Sequence, residues 1–81
     1  MQYPKEVIDP KKQLADKLIE LNGQITKEDR NAYIEKYPIT QGNLSLYMNG
    51  TIYDIEKAMG MVKFFKKRIE DRNKQIQELI N

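Results

Sequence analysis

Helix breakers and capping residues divide this chain into four pieces, each the length of one helix, and that punctuation limits the fold more than any other feature. Asp9-Pro10 is a helix start: Asp offers a side-chain oxygen to an unpaired amide, and Pro fits the first helical position, where its missing N–H is not needed. Leu14, Leu18 and Leu21 follow at helical spacing with Ile19 beside them, and Asn22-Gly23 ends the segment, with glycine expected in the left-handed conformation. Thr26 opens a second helix and places Asp29 three residues later, as a capping box requires. Ala32, Tyr33, Ile34 and Tyr37 give it an apolar side, and Pro38 stops it by pushing the preceding residue out of helical geometry.

A third start comes two residues on. Thr40 caps it, Ile39 and Leu44 are spaced as a hydrophobic staple, and Gly50 stands just past the end. The fourth helix begins at Thr51 or Asp54, which together form another hydroxyl–acid box. It then has no interruption except Gly60. Ile55, Ala58, Met59, Val62, Phe65 and Ile69 form its apolar stripe. The fold expected is all-α: a compact bundle of four helices containing a helix-turn-helix, with a long C-terminal helix. Residues 1–8 read as an extended lead-in, 9–69 as the domain, and 70–81 as a C-terminal extension.

Eighty-one residues make one domain, and one this small buries only about 60% of the surface its unfolded chain exposes. Cysteine and histidine are both absent, which removes disulfides, thiolate nucleophiles, the commonest metal ligand and the commonest general base. The adjacent acids Glu28-Asp29 and Glu70-Asp71 point apart on a helix, and no phosphate-cradling glycine loop is present. We therefore expect no enzyme, no cofactor and no metal site. Apolar residues at 40% and charged residues at 32% describe a globular chain, and a net charge of +2 permits nucleic-acid binding. With no membrane-length apolar run and no signal-peptide pattern, a soluble cytoplasmic protein without a membrane partner is expected.

The segment from Ile34 to Gly50 carries the functional information. So short a link between helices two and three makes them cross steeply. On helix three, Leu44, Tyr47 and Met48 share one face and point inward. The other side presents Gly42, Ser45, Leu46 and Asn49, flanked by Gln41 and Asn43, without a single charge. Gln and Asn can bond an adenine edge in pairs, Ser can bond most bases, and Leu can touch a thymine methyl. On residue type alone two readings stand: a helix that reads bases, or a polar helix on the surface of a bundle.

The run Ile39-Thr40-Gln41-Gly42-Asn43-Leu44-Ser45-Leu46-Tyr47-Met48-Asn49-Gly50 resembles the turn and recognition helix of lambda-repressor-like helix-turn-helix domains. That family has a branched apolar residue, a capping Ser or Thr, a polar pair, an inward Val or Leu, a Ser, a variable residue, an aromatic, an apolar residue and Asn-Gly in this order. The resemblance implies a repressor-type transcriptional regulator that contacts double-stranded DNA through Thr40, Gln41, Asn43, Ser45, Leu46 and Asn49, with Leu44 and Tyr47 as scaffold. The chain departs from the family at Ile34, where a small residue is usual, and at Pro38, where glycine is usual.

Lys36, near the end of helix two, is the expected phosphate contact. The run Lys63, Lys66, Lys67 and Arg68 reads as a solvated face, with Phe65 in the core. Tyr33, Tyr37, Tyr47 and Tyr53 read as core residues with a hydroxyl at the surface. A heptad seam of Ile55, Ala58, Val62, Phe65, Ile69, Arg72, Ile76 and Leu79 is interrupted by Arg72. Past Glu70 it has nothing left in the domain to cover, so it is either a solvated tail or a short coiled coil with a second copy, which would make a homodimer reading two half-sites. The competing function is a protein-interaction module using Leu46 and the seam of helix four.

Overall fold

Each helix begins, and the first three end, where a local interaction satisfies unpaired backbone groups. The computed structural model describes residues 9–80; the lead-in over residues 1–8 lies outside them, as does Asn81. Four helices and no strands are present among the described residues.

Helix α1 runs Pro10–Asn22, with the Asp9 carboxylate accepting from the Lys11 amide at 3.0 Å. Gly23, expected left-handed, instead has φ −75°. The α1 stop does not depend on glycine's conformational freedom, because the Gln24 and Ile25 amides both donate to the Leu21 carbonyl. Helix α2, Lys27–Lys36, carries the full capping box: the Asp29 amide donates to Thr26 Oγ1, and the Thr26 amide donates to Asp29 Oδ2. Tyr37 is extended at φ −126°, ψ 147°, as the following Pro38 demands.

Helix α3, Gln41–Met48, is capped by Thr40 Oγ1, which accepts from the Asn43 amide at 3.1 Å. At its other end the Thr51 amide donates to the Leu46 carbonyl and the Gly50 amide to the Tyr47 carbonyl, the paired bonds of a Schellman stop. Gly50 has φ +103°, so the backbone requires glycine; a Cβ there would also crowd the Ile19 side-chain tip at 3.0 Å. Because the Thr51 amide belongs to this stop, the Thr51–Asp54 box is not the start of the next helix. Helix α4, Ile55–Ile80, is capped by Asp54 alone, whose Oδ1 accepts from the Lys57 amide.

Helix α1 packs on α4 and α3, and α2 packs on α4. Leu18, Leu21, Tyr33, Leu44, Tyr47, Met48, Ile52, Ala58, Met61 and Phe65 form the core. One assignment on the α4 stripe is corrected: Met59 is 46% exposed and Met61 is fully buried. At about 100° per residue, Met61 shares the side of Ala58 and Phe65, whereas Met59 lies a quarter turn outside it. Helix α4 outlasts the bundle, and the described residues extend 53 × 32 × 17 Å. No helix is long and apolar enough to cross a membrane.

Candidate nucleic-acid interface

Helix α3 is seated by its inner face and left open on its outer one. Leu44, Tyr47 and Met48 are 1%, 4% and 2% exposed. Tyr47 does more than fill space. Its hydroxyl accepts from the Asp54 amide at 3.0 Å, and its ring meets Tyr53 edge-on, so the end of α3 is tied to the start of α4. At the other end Ile39 is partly buried and packs against the core that contains Leu44.

Thr40, Gln41, Gly42, Asn43, Ser45, Leu46 and Asn49 are all exposed. The Thr40 hydroxyl is engaged as the cap. The side chains of Gln41, Asn43, Ser45 and Asn49 make no hydrogen bond to any described residue. A Cβ on Gly42 would meet nothing within 4 Å, so the chain's own packing does not require glycine there. The face is thus uncharged, rich in donors and acceptors, and held on a helix fixed at both ends.

Lys36 is not brought to this face. Its Nζ is 5.7 Å from the Tyr37 ring centre and 5.9 Å from that of Phe64, on the side of α2 turned to α4. The charged residue that does border α3 is Arg30. It lines a pocket of about 160 Å³ with Asn22, Ser45, Met48 and Asn49, and its guanidinium donates to Asn22 Oδ1. The signal in the sequence was its place on the wheel: Arg30 lies a hundred degrees round from Asp29, away from the side of α2 that Asp29 and Tyr33 bury.

Asp29 accounts for the seam's interruption at Arg72. The carboxylate is 1% exposed and accepts from Arg68 Nε at 2.6 Å, Arg72 at 2.9 Å and the Thr26 amide. Arg72 also donates to the Gln24 carbonyl. Burial alone would raise the Asp29 pKa, but the Arg68, Thr26 and Arg72 hydrogen bonds outweigh it and bring it to about 2. Arg72 therefore anchors α4 to the start of α2, and the domain's contacts run three residues past the expected boundary at residue 69. In the basic run, Arg68 is committed to Asp29 and Lys67 pairs with Asp71, while Lys63 and Lys66 are exposed.

Of the four tyrosines around the motif, Tyr33 and Tyr47 are core, while Tyr37 and Tyr53 are exposed. Burial, with smaller effects from Tyr37 and Tyr47, raises the Tyr33 hydroxyl above its ordinary pKa. Comparison of the chain with protein-family models, with curated proteins and with solved structures gave no match.

Proposed function

We propose that this chain is a lambda-repressor-like helix-turn-helix domain that binds double-stranded DNA sequence-specifically and regulates transcription, in the cytoplasm, by occupying its site as a repressor. One observation carries the reading. Helix α3 is capped and seated at both ends, yet Gln41, Asn43, Ser45 and Asn49 present free amides and a hydroxyl to solvent. Such side chains match the base edges of the major groove, which is wide enough to admit a helix. Thr40 and the α3 N-terminus stand where a backbone phosphate is favoured, and Leu46 is placed for a thymine methyl. Lys36 lies off this face, at the end of α2, and is assigned to a phosphate of a flanking strand. In the same reading two copies join through α4 beyond Arg72, where Ile76, Leu79 and Ile80 are exposed, and read half-sites one helical turn apart.

Selection of bound fragments from a random duplex pool tests the reading. A consensus is expected, and Gln41→Ala or Ser45→Ala should relax it at one position each. Lys36→Ala should weaken all sequences alike. If the chain retains no duplex even at low salt, the interaction-module alternative takes its place.

A further inference from the structure

The three arginines fall into two chemical groups. Arg68 and Arg72 face a buried carboxylate and are ion-paired. Arg30 has no carboxylate within ion-pairing distance among the described residues, and its partner is the neutral Asn22 amide oxygen. The pockets around the two groups differ in the same way. Arg68 and Arg72 share theirs with Glu28, Asp29 and Asp71, so acids outnumber bases. The Arg30 pocket has no acid in its lining, only Asn22, Ser45, Met48 and Asn49 beside the guanidinium.

We propose that Arg30, held by Asn22 and bordered by Ser45 and Asn49, is a binding site for one phosphodiester of duplex DNA. The proposal rests on the reading of α3 as the DNA-contacting helix. A guanidinium has five N–H donors in a rigid fork; Asn22 takes part of that set and fixes the plane, and the rest are free for two non-bridging phosphate oxygens. Ser45 and Asn49 line the same pocket, so a phosphate held by Arg30 lies beside the groups assigned to the bases. A half-buried, pre-oriented arginine loses less side-chain freedom on binding than an exposed lysine does. Guanine is arginine's other partner in DNA. The pocket, however, also reaches Asn22 at the end of α1, so Arg30 itself stands at the edge of the α3 face, between that face and α1.

The test measures affinity for a selected duplex and for an unrelated duplex over a range of salt concentrations, using wild type, Arg30→Gln, Arg30→Lys and Asn22→Ala. Arg30→Gln should weaken both duplexes by the same factor and lower the slope of log affinity against log salt by about 0.9, the value for one phosphate. Arg30→Lys should keep the slope and lose affinity, because the charge remains and the fork does not. Asn22→Ala should weaken both duplexes with the slope kept. Thermal melting must show that the variants fold. An unchanged slope in Arg30→Gln overturns the proposal and leaves the DNA reading standing. Loss confined to the selected duplex overturns it in favour of a base contact. Absence of any duplex binding by wild type overturns both.

Discussion

Asp29 and Arg30 are neighbours in sequence and, a hundred degrees apart on α2, face different parts of the fold. Asp29 faces α4, where two arginines and a backbone amide close around it. Arg30 faces α3 and has only a neutral amide oxygen for a partner. The charge on the first side is neutralised inside the fold and is not available to a ligand. The charge on the second side is not neutralised. The contrast separates a residue that is charged because the structure needs it from one whose charge the structure leaves open. Exposure alone does not make that distinction, since Arg68 and Arg72 are also partly exposed.

The sharpest way to break the comparison is to remove each side chain in turn. Asp29→Ala strips the α2 capping box and leaves two arginines facing a site without a counter-charge. It should cost about 3 kcal/mol in urea unfolding, at the lower end for a broken buried pair because both arginines keep a third or more of their surface in water. Arg30→Ala should cost less than about 1 kcal/mol. Equal losses would mean that both sides of α2 are structural. Acid gives the same test without mutation. The Asp29 pKa is lowered on folding, so its contribution is complete above the ordinary value of 3.8 and is lost as pH falls towards 2. Wild type should lose about 2 kcal/mol across that window, less whatever solvent screens at the arginines, and Asp29→Asn should be flatter there.

This comparison also marks how far the sequence could be read. The helices were legible because their ends are local events: Thr26 with Asp29, Thr40 with Ile39 and Leu44, and Gly50 each act within five residues. The inward face of α3 was legible for the same reason, since periodicity alone separates Leu44, Tyr47 and Met48 from Ser45 and Asn49. What could not be read depends on packing between distant segments. Arg72 looked like a fault in a heptad because its partner, Asp29, is 43 residues away. Closeness to the turn in sequence does not reveal that Lys36 lies off the α3 face, with its charge over Tyr37 and Phe64. The surroundings of Arg30 are not legible from its own segment, because nothing local links it to Asn22 in α1 or to Ser45 in α3. Gly23 and Thr51 were misread where two hydrogen-bonding solutions compete for one helix end.

A finer test uses the two glycines inside helices. A Cβ at Gly42 or at Gly60 meets nothing within 4 Å, so neither is required by the packing of the free chain. Gly60→Ala should raise stability by about 1 kcal/mol, and Gly42→Ala by less, because it lies in the first turn. Their effects on DNA should diverge. Gly42 is on the face assigned to the duplex, so its substitution should stabilise the protein and still weaken binding. Gly60, in α4 beside Tyr33 and Tyr37, should leave binding unchanged. If both alanines bind alike, the duplex does not approach the first turn of α3 closely.

The smallest effect on folding is expected at the far end of α4, which continues the helical wheel of the core beyond any surface it could cover. Ile76 lies five helical turns after Ala58, on the same side, yet it is half exposed, and Leu79 is 85% exposed. Among the described residues, the last side chain of this helix hydrogen-bonded to another part of the fold is Arg72, at the Asp29 carboxylate and the Gln24 carbonyl. Replacing Ile76 and Leu79 together by Ser should therefore change monomer stability by less than about 0.5 kcal/mol. The same double variant should abolish self-association measured by sedimentation, and with it any advantage of a two-half-site duplex over a single half-site. A large loss of monomer stability would show that the helix beyond Arg72 belongs to the fold, and the division of α4 into an anchored part and a free one would then fail.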